Sequence, residues 1–205
     1  MNMSPSAGTR RSRKRRQTAE HIVTVAFELF ARHGYATVTM EQIAAEADIA
    51  KGTLYNYFPV KEALVRHRMQ MDMAEQLPGL LAALPKEASC PERLRAFMHI
   101  AAGYMSGFRE YLPPYIHYRL SQPLDLSADT HTAGLIQVFI PLLAEGQAAG
   151  QISGRHTAEF LAINLQFLHL STLLRWLATP GLELADAFDE MLDLFFQGCA
   201  RGEAP

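Results

Sequence analysis

The chain is poor in cysteine. Its two, Cys90 and Cys199, stand far apart in 205 residues and make no metal-type spacing. That count argues against a disulfide-stapled secreted scaffold and against a zinc module. No run of 18 uncharged apolar residues occurs, so no membrane span is expected. The N-terminus is basic but lacks the apolar stretch of a signal peptide. These absences fit a cytoplasmic, reducing compartment. Strand-like alternation and internal repeats are missing, and so are a nucleophile elbow, a phosphate-binding glycine loop, a paired-carboxylate motif and a metal signature. The enzyme classes therefore rank low, and neither a cofactor nor a metal is expected.

What is present is an uneven distribution of charge. The formal balance of −2 hides a basic front and an acidic back. Residues 1–68 hold 11 Lys and Arg against 6 Asp and Glu, whereas residues 69–205 hold 8 against 15. A chain built this way meets a polyanion with one end only. Six of the seven residues from Arg10 to Arg16 are basic. With no apolar period, residues 1–16 read as a disordered arm, with Arg13 and Arg15 placed to lie along phosphates or enter a minor groove. A solvated tail that only aids solubility is the plainer alternative.

Apolar periodicity places a first helix over about Thr18 to Arg32, through Ile22, Val25, Ala26, Leu29 and Phe30, with Gly34 as its stop. Thr39 and Gln42 form an S/T-x-x-E/Q capping box that opens a second helix. Asp48 ends it, at a position where the backbone often turns left-handed. Lys51 to Tyr57 makes a short third helix whose apolar face is Leu54 and Phe58. This is a helix-turn-helix, and a short polar helix with small N-terminal residues fits the major groove of B-DNA. A fourth helix is expected from Lys61 to about Gln76. The rest reads as helices over Pro91 to about Glu110, Pro113 to before Pro123, Ala128 to about Ala149, His156 to Ala178 and Leu184 to about Ala200. The fold class is all-α.

The run AFELFARHGYATVTMEQIAAEADIAKGTLYNYFPVKEAL resembles the DNA-binding domain of TetR-family transcriptional regulators. Beyond about residue 70 the likeness rests on helix number and on the terminal segment WLATPGLELADAFDEMLDLFFQGCA. The resemblance implies a three-helix head over residues 17–63 joined to a larger helical ligand-binding and dimerisation domain over 64–205. It implies a homodimer, usually a repressor, that leaves a palindromic double-stranded operator when a small-molecule effector binds. Two departures stand out. Asp48 and Ala50 replace the usual Gly or Ser, and Ala50 lacks a side chain to cap the third helix, a loss of about 1 kcal/mol. Val60 stands where a capping Ser or Asn is common.

Carried over by position, Thr39 resembles the cap residue that meets a phosphate. Lys51 and Thr53 lie in the first turn of the recognition helix: lysine can donate to guanine O6 and N7, and the Thr53 methyl can touch thymine. Gly52 permits close backbone approach. Tyr55 and Tyr57 are expected on phosphates through their hydroxyls, and Lys61 as a phosphate clamp.

A second set is aromatic: Tyr104, Phe108, Tyr111, Tyr115, Tyr118, Phe139, Phe167 and Trp176. Each alone is more simply core. Together they are expected to line a pocket for an apolar or flat ligand, with polar contacts from His99, His117 and His169. A third set lies in the last two helices. Leu161, Leu165, Leu168, Phe188, Met191, Leu192 and Phe195 are expected to face a twofold mate in a four-helix interface, the alternative being a wholly intramolecular bundle. A competing reading, a thiol-responsive regulator using Cys90 or Cys199, lacks a basic cluster around either cysteine.

Overall fold

A computed structural model describes residues 7–122 and 134–199, and all its regular elements among them are helical. The helices are α1 (Ala7–His33), α2 (Met40–Glu46), α3 (Lys51–Tyr57), α4 (Lys61–Ala83), α5 (Cys90–Gly107), α6 (Leu112–Leu120), α7 (Gly134–Ala148), α8 (Ala158–Ala178) and α9 (Leu184–Cys199). None of the described helices is long and apolar enough to cross a membrane.

The chain forms two compact units. The first comprises the described residues up to Met71 together with Glu110–Arg119, and the second Asp72–Arg109 with the described residues from Leu120 on. This grouping differs from the boundary expected at residue 63. The first turns of α4 belong with the head, and so does α6. The physical reason lies in the loop before α6. Glu110 Oε1 accepts from the Tyr35 backbone N–H at 2.9 Å, and the Tyr111 ring sits against Phe27 and Tyr35 at 5.3 and 5.4 Å between centroids.

In the first unit, Ile22, Val23, Ala26 and Phe30 of α1 pack with Ile43 of α2, Leu54 of α3 and Leu64 and Val65 of α4, all essentially solvent-free. Burying each of the larger side chains contributes about 2–3 kcal/mol. Gly34 closes α1 with φ 81°, its N–H donating to Phe30 O at 2.8 Å, as a left-handed stop requires. The N-terminal arm differs from expectation. From Ala7 onward it is the first part of α1, not a coil, while residues 1–6 lie outside the described part. Arginine and lysine are good helix formers, and Arg16 pairs with Glu20 one turn on at 3.4 Å, so the apolar helix propagates backward through its basic extension.

In the second unit, Leu94, Phe97 and Met98 of α5, Val138, Phe139 and Leu143 of α7, Leu165 of α8, and Phe188 and Leu192 of α9 form the core. Two caps missed in the periodicity place helix starts here. Ser89 and Glu92 make a capping box for α5, and the Thr157 hydroxyl accepts from Phe160 N for α8. Helix α4 was expected to stop near Gln76, yet it continues through Pro78 to Ala83. That proline removes only one intrahelical bond, the one to Ala74 O. The expected helix start near Ala128 lies outside the described residues.

Candidate DNA interface

The capping box that opens α2 is formed: the Thr39 hydroxyl accepts from Gln42 N at 3.2 Å, and Gln42 Oε1 accepts from Thr39 N at 2.8 Å. Asp48 adopts φ 51°, the left-handed turn between α2 and α3. Helix α3 starts at Ala50 with no side-chain cap; only the Ala50 carbonyl serves, accepting from Thr53 N and Leu54 N. Leu54 and Phe58 are buried and pin α3 to the head. That leaves Lys51, Gly52, Thr53, Tyr55 and Asn56 exposed, with Tyr57 half-buried.

Two features of this face come from side-chain geometry. Lys51 Nζ lies 2.5 Å from Glu41 Oε1, in the first turn of α2, and the Tyr55 hydroxyl donates to the same oxygen at 3.4 Å. The hydrogen bond from Lys51 is the main reason the Glu41 carboxyl ionises below its usual range. Glu41 was not singled out from the sequence. Its position two residues after a cap is ordinary, and only the fold brings it to Lys51. The Arg15 guanidinium, from the basic extension of α1, sits 5.8 Å from the centre of the Tyr57 ring. Arg13 is exposed on the same helix. At Gly52 an added Cβ would meet no atom within 4 Å, so neither packing nor backbone angle requires glycine there.

Residues 22–67 match the family of bacterial regulatory proteins, tetR family. The chain is 28% identical over 198 residues to a putative mycofactocin biosynthesis transcriptional regulator of Mycobacterium tuberculosis, covering 94% of this chain and 96% of that one. It is 24% identical over 179 residues to the transcriptional activator FasR of Mycolicibacterium smegmatis, covering 84% and 79% of the two. Its structure is similar to that of Thermus thermophilus FadR, a TetR-family transcriptional repressor in complex with lauroyl-CoA, with a TM-score of 0.76 at 27% identity over 91% of this chain and 97% of that one. Residues 22–67 are a TetR-family DNA-binding segment. Both the matched family and these relatives are regulators rather than enzymes.

Three expectations differ from the side-chain placement in the structure. The first concerns Lys61. Its ammonium donates to the carbonyl oxygens of Tyr35 at 2.7 Å and Val38 at 2.8 Å, approaches Ala36 O at 3.4 Å, and lies 4.5 Å from the Tyr35 ring centre. All three donors point inward, so Lys61 is a brace for the turn before α2, not an outward clamp.

The second concerns the aromatic set. Tyr111, Tyr115 and Tyr118 lie in the first unit, the others in the second. In the second unit Phe139 packs on Phe97, and Tyr104 stacks on Phe108 while donating to Asp72 Oδ2 at 2.7 Å. Arg109 covers the Trp176 ring at 4.1 Å, and Phe167 is exposed. Phe167 thus faces outward, whereas Phe139 and Trp176 are buried within the unit. Of the three histidines, His169 is buried against Phe188, His99 pairs with Asp189 at 2.8 Å, and His117 is exposed. Spacing along helices could not assign each ring to a unit.

The third concerns the last two helices. Leu161, Leu165, Phe188, Leu192 and Phe195 are buried in the chain's own core. Residues 158–178 are apolar nearly all round, so spacing does not say which side of α8 turns inward. The outward stripe is Phe160, Phe167 and Leu174, joined on α9 by Leu194. A shallow groove of about 320 Å³ runs between the two helices, lined among others by Leu168, Ser171, Arg175, Met191 and Leu194. Leu168 and Met191 of the expected interface thus border this outer face.

Cys90 is a buried thiol at the start of α5, and burial pushes its pKa up to about 11. A redox role for it loses its chemical basis. Among the described residues no group of three His, Cys, Asp or Glu side chains could hold a metal.

Proposed function

We propose that this chain is a cytoplasmic homodimeric repressor that binds a palindromic double-stranded operator and leaves it when a small apolar ligand binds its larger helical unit. The observation that carries the DNA half is the exposed face of α3, where Lys51, Gly52, Thr53 and Tyr55 project while Leu54 and Phe58 hold the helix. Lys51 and Thr53 read base edges, and Gly52 lets the phosphate backbone approach where a Cβ has no protein neighbour. Thr39, Tyr55, Tyr57, Arg13 and Arg15 meet phosphates. Support for the ligand half is the likeness to a repressor crystallised with lauroyl-CoA, whose twelve-carbon chain is apolar.

The dimer is assigned to the outer face of α8 and α9. Phe160, Phe167, Leu174 and Leu194 stand open on it, which a twofold mate would cover. Two heads held about 34–36 Å apart then engage half-sites one helical turn apart. The test is a gel-shift assay on duplexes from the chain's own upstream region, with and without lauroyl-CoA. A specific shift abolished by lauroyl-CoA is the expected result. Failure of the protein to select any duplex over random DNA overturns the reading.

A further inference from the structure

We propose that Glu41 is a specificity-determining residue that acts with Lys51 as one unit to read a single G·C base pair in the major groove. This rests on the DNA-binding reading above. Two residues from different helices bring opposite charges together on the face α3 offers outward, with Lys51 Nζ 2.5 Å from Glu41 Oε1. Both side chains are at least half exposed, at 61% and 50%. The other acid of α2, Glu46, is already paired with Arg32 at 2.8 Å. Glu41 is thus the carboxylate directed at the recognition helix.

The ammonium has three donors, and Glu41 takes one. Two remain, and guanine presents two neighbouring acceptors, O6 and N7, in the major groove. The carboxylate accepts from Lys51, and with Tyr55 turned to a phosphate it still has lone pairs for another donor. The cytosine of the same pair offers its N4 amino group beside guanine O6. An A·T pair sets its donor between two acceptors and adds a methyl group, so it does not match this order. The pairing also affects nonspecific affinity. A lysine neutralised by a carboxylate one hydrogen bond away attracts phosphates weakly, and the carboxylate repels them. Glu41 thereby turns Lys51 from a general anchor into a reader of sequence.

The test uses the full chain and four variants, Glu41→Gln, Glu41→Asp, Lys51→Met and the double Glu41→Gln/Lys51→Met. Each is carried through selection from a randomised duplex library and titrated with a random-sequence duplex at several salt concentrations. The wild-type motif should contain a G·C position in each half-site, with roughly tenfold discrimination. Glu41→Gln and Lys51→Met should both lose it, and the double variant should lose no more than Lys51→Met alone. Glu41→Gln should bind random DNA more tightly, with a salt slope steeper by about one. Glu41→Asp keeps the charge but shortens the reach, so its preference should fall with the slope unchanged. Circular dichroism of each variant checks the fold. If Glu41→Gln keeps every base preference and the wild-type slope, the inference is overturned while the DNA-binding reading stands. If the wild type enriches no sequence at all, that reading fails and the inference with it.

Discussion

Lys61 Nζ lies 2.7 Å from the carbonyl oxygen of Tyr35 and 4.5 Å from the centre of the same residue's ring. One ammonium thus ties the start of α4 to the turn between α1 and α2. The Tyr35 hydroxyl in turn donates to Glu62 Oε1 at 3.1 Å, and burial followed by the nearby Glu62 charge holds that phenol well above its usual range. Removing the ammonium leaves at least two carbonyls without their partner, so Lys61→Met should destabilise the head by about 1–3 kcal/mol. The salt slope of DNA binding should stay as it is, because no phosphate contact is lost. Thermal unfolding and shifts at several salt concentrations check both. A slope lower by about one with an unchanged melting temperature would return Lys61 to the phosphates.

Positions on α8 and α9 should divide by which way they face. Leu194 is 63% exposed and Phe167 45%, whereas Phe195 is 6% exposed. Leu194→Glu and Phe167→Glu should give folded monomers that no longer hold two heads on one operator. Phe195→Glu should cost several kcal/mol and yield aggregated or unfolded chain, because its carboxylate would be buried without a partner. Sedimentation with circular dichroism separates the two outcomes. Folded dimers from both surface variants would place the interface elsewhere.

His169 makes the second unit acid-sensitive. Its Nε2 is buried with no hydrogen-bond partner, its ring stacks on Phe188 at 5.0 Å, and burial lowers its pKa from 6.5 to about 4. The folded state resists the proton that the unfolded chain accepts. Stability is therefore whole above pH 6.5 and falls as pH drops toward about 4, by an amount on the order of 3 kcal/mol. His169→Leu should flatten that part of the stability curve and leave the protein no less stable at pH 8. Urea unfolding at stepped pH measures it, and an unchanged acid slope in the variant would show that another group carries the effect.

Gly146 should resist substitution although it lies inside a helix. A Cβ there would stand 2.6 Å from Cys90 Cβ and 2.9 Å from both Cys90 Sγ and Ile152 Cδ1. Glycine to alanine in an exposed helix interior gains about 1 kcal/mol, but here α7 would be pushed off α5, at a cost of about 1–3 kcal/mol. Gly146→Ala should therefore lower the melting temperature, whereas Gly103→Ala, which meets no atom within 4 Å, should not. A rise in both would mean that α5 and α7 can separate without loss.

The all-helical class, the order of the helices and the outward set on α3 were legible in the sequence, because they depend on local rules. Leu54 and Phe58 mark the buried side of α3 by spacing, the Thr39–Gln42 box marks a helix start, and Asp48 and Gly34 sit where the backbone must turn left-handed. Tertiary structure alone decided what each long side chain meets. Lys51 and Lys61 are both basic residues at the first position of a helix, yet one reaches an exposed carboxylate on α2 and the other three backbone carbonyls. Helix α8 is apolar nearly all round, and only packing against α7 and α9 turned Leu161 and Leu165 inward and left Phe160 and Phe167 outside. Periodicity fixes angles around one helix axis. Which partner fills each angle is set by elements distant in the chain, and that information lies in the fold.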